Sequence, residues 1–141
     1  MPTLILTTRF LIVWMTSAVA FSAAQDRNPV EGFTRSPTEH IINEVDQPFV
    51  VQQVKGIVTC PPRSGDPLPN ALFEIRGPGD NRTIRHAVTD EKGRFRIRHV
   101  PWGQYRFKAT YNGNQSVVGT IIVCGRAQER DEIRIEMRVG V

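Results

Sequence analysis

The sequence predicts an all-β protein, a Greek-key β-sandwich of about seven strands. From Phe49 onwards, apolar and polar residues alternate with a period of two, which is typical of half-buried strands. Turn-forming stretches such as PPRSGDPLPN, GPGDN and YNGN separate these segments, and none of the segments is long enough for a useful helix. One run, Val117–Cys124, is apolar almost throughout, which favours a strand covered on both faces.

Seven segments carry the strand pattern. They are Val50–Val58, Phe73–Ile75, Ile84–Val88, Phe95–Ile97, Tyr105–Tyr111, Val117–Cys124 and Ile133–Val139.

Two short motifs are interpreted as turns. In TDEKG, Asp90 can accept hydrogen bonds from backbone N–H groups further on, and Gly93 can take a left-handed conformation. In HVPWG, Pro101 fixes φ and Gly103 relaxes it before the next strand. We expect these four residues to have structural roles.

The N-terminal residues 1–24 have the pattern of a signal peptide. Arg9 precedes the apolar run Phe10–Phe21, and Ser22–Ala24 supplies the small residues that signal peptidase requires. We expect cleavage after Ala24, with a cut after Ala20 and a retained membrane anchor as alternatives. Cleavage would place the mature protein in the periplasm or outside the cell.

Residues 25–48 mix Pro, Asn, Asp, Thr and Glu with few apolar residues, and are interpreted as a flexible linker to a domain at 49–141. The whole chain has a net charge of +4, and the chain without the signal segment has +3 because Arg9 is that segment's one charged residue. So small an excess gives no reason to expect a nucleic-acid partner.

The two cysteines, Cys60 and Cys124, lie in the exported part of the chain. An even number of cysteines in an oxidising compartment favours one disulfide between them, with two buried free thiols as the alternative.

Three stretches together resemble the carboxypeptidase regulatory-like domain, a prealbumin-like (transthyretin-like) sandwich found in exported bacterial proteins. They are VKGIVT, GDPLPNALFEIRG and TDEKGRFRIRHVPWGQYRFKATYNG, and the resemblance extends over Val54–Val139. It implies a module without catalytic activity, and therefore without a cofactor.

Few residues in the sequence suggest catalysis or metal binding, which the resemblance does not predict. No H-x-x-E or H-E-x-x-H motif occurs, so the metallopeptidase half of the family is absent. Related sandwiches include iron-binding intradiol dioxygenases, whose ligand types are matched by Tyr105, Tyr111, His86 and His99. The two tyrosines share the face of a strand with Phe107, where a role in the core suffices, so we expect no metal.

Six basic residues are candidates for binding an anionic partner. If Ile97 and Phe107 point inward, one sheet face would carry cations from neighbouring strands: Arg85, Arg94, Arg96, Arg98, Arg106 and Lys108. The alternative is a solvated face with cross-strand pairs to Glu74, Glu132 and Glu136.

Trp102 is a separate candidate, because an exposed indole on a loop can stack on a sugar ring. The alternative is that Trp102 closes the end of the core.

The function expected is an exported, non-catalytic binding or structural module that docks a protein or anionic partner at the cell envelope. A carbohydrate-binding module of the starch-binding-like type is the alternative. We expect the chain to contact the membrane only through the signal peptide, before its cleavage.

Overall fold

The computed structural model describes residues 31–37, 41–61, 65–77, 84–128 and 130–140. The predicted signal peptide and the first residues of the predicted linker lie outside these ranges. Within them the chain forms nine strands and no helix.

The strands form two sheets. In chain order they are β1 (Ile42–Glu44), β2 (Phe49–Val51), β3 (Val54–Thr59), β4 (Leu72–Arg76), β5 (Ile84–Val88), β6 (Arg94–Ile97), β7 (Gly103–Thr110), β8 (Ser116–Val123) and β9 (Ile133–Glu136). The first sheet has the order β1-β8-β7-β4-β5, with β2 also paired to β8, and the second has the order β6-β3-β9. The prediction of an all-β sandwich is confirmed. β3 to β9 correspond to the seven predicted strands, except that the predicted strand Val50–Val58 is divided into β2 and β3, which belong to different sheets.

The core lies between the two sheets, where the alternation places it. Phe73 on β4 stacks against Phe95 on β6 with ring centroids 4.0 Å apart, which joins the sheets at their centre. Phe107 on β7 packs against Phe73 at 5.5 Å. All three rings are buried, and such aromatic pairs add to the stabilisation that burial alone gives.

Gly56 allows β3 and β9 to approach closely. A Cβ at this position would lie 2.0 Å from the carbonyl oxygen of Ile133. No other residue type fits without moving one strand.

The described part of the predicted linker is not a free tether. β1 of the linker pairs in parallel with β8, as does β2 at the start of the predicted domain, so together they cover the edge that seven strands alone would leave open. Phe33 is buried, and the Thr34 hydroxyl donates to the Glu74 carboxylate at 2.8 Å. The prediction of flexibility is wrong for these residues, because a low apolar content did not prevent them from pairing with polar groups of the sheet.

The turn at TDEKG is built as expected, but it joins different sheets. Asp90 Oδ1 accepts the backbone N–H groups of Lys92 at 2.9 Å and Arg94 at 3.0 Å, and Gly93 has φ of 72°. β5 before the turn belongs to the first sheet and β6 after it to the second. The stretch therefore reverses the chain without forming a paired hairpin.

The predicted disulfide is wrong: Cys60 and Cys124 are free. Asn114 Nδ2 lies 3.5 Å from Cys60 Sγ, just before β8 begins, whereas Cys124 follows the end of β8 and donates its N–H to Val51. The ten residues that follow Asn114, up to Cys124, form an extended chain that spans roughly 30 Å. This is far beyond the Cα separation of about 4.4–6.8 Å that a disulfide needs. The two thiols are at opposite ends of the sandwich.

Candidate functional site: an arginine-lined groove at the end of the sandwich

The six basic candidates do not share one face. Arg94 and Arg96 point outward from the three-stranded sheet, whereas Arg106 and Lys108 point outward from the six-stranded sheet on the other side of the core. The chain changes sheets between β6 and β7, so strands that are consecutive in sequence are not neighbours. The prediction of one continuous cationic face is therefore wrong.

On the six-stranded sheet, both basic candidates have partners within the chain. Arg106 forms an ion pair with Glu44 on β1 at 3.1 Å and also donates to Thr120. Lys108 is fully buried, and its Nζ donates to the Thr34 carbonyl oxygen at 2.6 Å. Neither side chain is available to an external anion in this arrangement.

Arg85 links the two sheets at their open side. It lies opposite Ile75 in the ladder, on the inner side of edge strand β5, and its Nη1 donates to the His99 carbonyl oxygen at 2.7 Å. His99 adopts φ of 58°, a left-handed conformation that costs about 1–2 kcal/mol outside glycine. The bond from Arg85 helps to hold that conformation, so Arg85 positions the loop after β6.

The remaining three basic candidates form an exposed strip along the edge of the three-stranded sheet. This arginine strip consists of Arg94 and Arg96 on β6 and Arg98 directly after it. Two grooves lie along the strip, and Arg96 lines both.

The first groove lies at the edge of the three-stranded sheet, beside β5 of the other sheet, and has a volume of about 520 Å³. Arg94, Arg96 and Lys55 line it together with Asp90 and Glu132. Because both signs of charge are present, this groove has a weak preference for anions.

The second groove, called here the end groove, has a volume of about 450 Å³ and lies where β2 turns into β3. Its polar lining consists of Arg96, Arg98, His99, Gln52 and Gln53. No carboxylate lines it among the residues that the structure describes. Arg96 is oriented by a 2.8 Å hydrogen bond from its Nη2 to Gln53 Oε1. The end groove thus holds two exposed guanidinium groups and the Gln53 amide, a donor set that suits carboxylate or phosphate.

Trp102 lies beside the end groove and is 75% exposed. A Cβ on Gly125 would lie 3.0 Å from the indole, so the ring rests on the backbone of the loop after β8. Gln52 Nε2 approaches the carbonyl oxygen of the same Gly125 at 3.5 Å and donates to Ala127 at 2.6 Å. The alternative that Trp102 closes the core is wrong, because the indole is exposed and rests on the loop after β8 that Gln52 of the end groove also contacts.

The four predicted turn residues lie in the connections on either side of β6. Asp90 and Gly93 precede β6, and Pro101 and Gly103 follow it. The two backbone N–H groups that Asp90 accepts, first that of Arg94, hold the pKa of its carboxyl below the ordinary value of 3.8. The Pro101 carbonyl oxygen accepts the Tyr105 hydroxyl at 2.6 Å, and Gly103 begins β7. These contacts fix the loop that carries Trp102.

Tyrosine and histidine, the ligand types of an iron site, are dispersed. The Tyr105 hydroxyl is engaged by Pro101, while His86 is exposed on edge strand β5. The described ranges contain no group of three His, Cys, Asp or Glu side chains that could hold a metal ion. Within the same ranges, no helix has the length and apolar character needed to cross a membrane.

Sequence reasoning missed Gln52, Gln53 and Lys55 as neighbours of the arginine strip. The signal lay in the strand pattern, because β3 pairs with β6 and places Lys55 opposite Arg96. That pairing could have been proposed only after the sheet order was known.

A comparison with protein-family models agrees with this architecture. The family model of the carboxypeptidase regulatory-like domain matches residues 53–138, well over half of the chain. The chain belongs to this family. Carboxypeptidase regulatory-like domains are non-catalytic modules typical of exported proteins. A comparison with curated protein sequences finds no match.

Several solved structures are similar to this carboxypeptidase regulatory-like domain. A candidate carbohydrate-binding protein from Pseudomonas aeruginosa has 14% identity and a TM-score of 0.43, with 65% of this chain and 90% of that chain covered. A type II cohesin–X-module–dockerin complex from Acetivibrio cellulolyticus has 23% identity and a TM-score of 0.41, with 62% and 58% covered. Chlorocatechol 1,2-dioxygenase from Pseudomonas putida has 10% identity and a TM-score of 0.43, with 70% and 64% covered.

Proposed function

We propose that this carboxypeptidase regulatory-like domain is a non-catalytic binding module that docks an anionic partner in the end groove. The observation that carries the proposal is the lining of the groove, which combines Arg96, Arg98 and two glutamines with no carboxylate among the described residues. Guanidinium groups match carboxylate and phosphate geometry. An acidic polysaccharide or an acidic protein segment at the cell envelope fits this lining.

The test is isothermal titration of the mature protein with polygalacturonate and, separately, with polyglutamate. The proposal predicts binding that weakens as salt is added, since the attraction is between exposed charges. The double variant Arg96→Glu/Arg98→Glu should bind at least about tenfold more weakly, because two attractive contacts become repulsive. Preference for polygalacturonate would identify a sugar, and equal binding would identify a partner recognised by its charge.

The matched control is Arg130→Glu/Arg138→Glu, which makes the same change of charge at two exposed arginines that do not line the groove. This variant should bind as the unchanged protein does, apart from a small uniform effect of net charge. Equal losses in both double variants, or no binding of either polyanion by the unchanged protein, would refute docking in the end groove.

A second candidate function is carbohydrate binding through Trp102. The specific observation in its favour is the 75% exposure of an indole held in place by Gly125. Stacking of a sugar ring on such a surface depends on the aromatic face and not on charge. Trp102→Ala should then abolish binding of a neutral oligosaccharide such as maltohexaose, while Arg96→Glu/Arg98→Glu should retain it. Binding of maltohexaose by Trp102→Ala at unchanged affinity would exclude this second candidate.

We also propose that the chain is exported and that signal peptidase cuts after Ala24, so that the mature protein comprises the segment 25–48 and the domain 49–141. Arg9, the apolar run and the small residues before Gln25 support this proposal. N-terminal sequencing of the exported protein should give Gln25 as the first residue. A mature protein that still begins at residue 1 would contradict it.

A further inference from the structure

A second surface, remote from the end groove, recognises a segment of this chain. It is the outer face of β4 and β7 in the six-stranded sheet, where Glu74, Arg76 and Lys108 are all nearly or fully buried. Charged side chains on the outer face of a sheet are normally solvated. Here residues 31–37 lie over them, and we call these three side chains and their surroundings the covered face.

The contacts define what the covered face binds. Glu74 accepts both the backbone N–H and the hydroxyl of Thr34, at 3.1 and 2.8 Å, while Lys108 donates to the Thr34 carbonyl oxygen at 2.6 Å. A carboxylate and an ammonium group thus engage the backbone and side chain of one threonine. Hydrogen bonds to charged groups are stronger than neutral ones, so the threonine is held firmly in one orientation.

The residue before the threonine is recognised as well. Phe33 is 6% exposed, yet it is not part of the core between the sheets. Its ring lies 5.1 Å from the guanidinium carbon of Arg76, a cation–π contact, and the same guanidinium group donates to the carbonyl oxygen of Glu31. The covered face therefore recognises an aromatic residue followed by threonine, presented by a short segment that turns at Gly32.

Two further hydroxyl groups on this side of the six-stranded sheet form no hydrogen bond with residues 31–37. Thr110 follows Lys108 on the same side of β7, and Ser116 begins the neighbouring strand β8. Both hydroxyls are buried, and neither has a hydrogen-bond partner among the residues that the structure describes. A longer or differently placed peptide would have further groups to bind.

The chemistry of the covered face is compatible with an exchange of its occupant. An apolar face must stay covered, whereas Glu74, Arg76 and Lys108 can be solvated once the segment leaves. Residues 31–37 are held by a small number of polar contacts and one buried ring, and fixing them costs conformational entropy. The covered and uncovered states can therefore be close in free energy.

From these observations we propose that the covered face is a peptide-binding site for a short segment with an aromatic residue followed by threonine, and that Phe33 and Thr34 occupy it as an internal ligand. This proposal is independent of the end groove, which lies on the other sheet. The partner it fits is a polypeptide with that pair of residues.

The test uses the full mature chain with the internal ligand removed by Phe33→Ala/Thr34→Ala. The probe is a fluorescein-labelled peptide of residues 31–37, EGFTRSP, followed by fluorescence anisotropy. The double variant should bind this peptide at least about tenfold more tightly than the unchanged chain does, because the unchanged chain fills its own site.

Three controls define the specificity. The peptide EGFVRSP, which lacks the threonine hydroxyl, should bind about tenfold more weakly than EGFTRSP, and a scrambled peptide should not bind. Adding Lys108→Met or Glu74→Gln to the double variant should also remove binding. If the folded double variant binds none of the peptides, or binds all of them equally, the proposal is wrong.

A single substitution covers the case in which the double variant does not fold. Thr34→Val keeps the buried ring of Phe33 and removes only the hydroxyl. The amide proton of Thr34 in the unchanged protein should exchange slowly, and addition of unlabelled EGFTRSP should accelerate its exchange as the internal ligand is displaced. Exchange that is unaffected by the peptide, together with absence of binding to Thr34→Val, would overturn the proposal.

Discussion

Asp90 controls the direction of the chain at one turn, and its chemistry makes the turn sensitive to acid. Its carboxylate is exposed and accepts two backbone N–H groups, and these bonds favour the ionised form. A carboxyl whose pKa is lower in the folded than in the unfolded protein stabilises the fold above the unfolded pKa. That contribution is lost as the pH falls through the folded pKa.

Substitution of Asp90 by Asn tests this linkage. Asn keeps an acceptor oxygen but has no charge, so the variant should melt at a lower temperature than the unchanged protein at neutral pH. The difference should shrink as the pH falls below 3.8, the ordinary value for the carboxyl. Thermal melts at neutral and strongly acidic pH measure it, and a difference that grows on acidification would contradict the assignment.

The two cysteines show that pairing cannot be judged from their number and compartment alone. Cys60 and Cys124 are at opposite ends of the sandwich, and neither the spacing nor the composition of the sequence contains that information. The distance follows from the length of β8 and from the end of it that each cysteine approaches.

Alkylation of the unreduced, denatured protein tests the free thiols. Both cysteines should react, and the mass should rise by two adducts without any reductant. A protein that takes up label only after reduction would show that the cysteines are bonded to each other.

At the scale of elements, alternation predicted which residues face the core but not which sheet each strand joins. Phe95, Ile97, Phe107 and Ala109 point inward as expected. The basic residues that alternate with them were expected on one face, yet β6 and β7 lie in different sheets. Alternation indicates only whether each side chain points inward or outward, whereas the sheet order depends on contacts between strands that are distant in the sequence.

The close approach of β3 to β9 is an element-scale feature with a direct test. Gly56→Ala should destabilise the protein by about 3 kcal/mol or more, since the added Cβ meets the backbone of Ile133 and not a flexible side chain. The matched control is Gly77→Ala, where the nearest atom of Tyr105 would be at an ordinary contact distance of 3.5 Å. Chemical denaturation measures both, and equal stability of the two variants would contradict the close approach.

At the scale of the whole molecule, the sequence predicted the sandwich, its seven main strands and its family, because turn residues and alternation agree over almost the whole domain. It did not predict that residues 31–37 cover one face. Phe33 and Thr34 are isolated in a polar stretch, and their partners Glu74 and Lys108 read as ordinary solvated residues until the structure places them together.

The two proposed binding surfaces lie on different sheets and differ in chemistry. The end groove has two exposed guanidinium groups and is the proposed site for an external anion, whereas the covered face already holds a segment of the chain. A ligand that binds by charge should therefore affect one sheet and leave the other unchanged.

The most direct measurement is an NMR titration of the isotope-labelled mature protein with oligogalacturonate, with the backbone amide shifts followed residue by residue. The largest changes should occur at Arg96–His99 and Gln52–Gln53, with little change at Thr34, Glu74 and Lys108. Changes centred on the covered face, or spread evenly over all exposed arginines, would contradict the assignment of the end groove as the anion-binding surface.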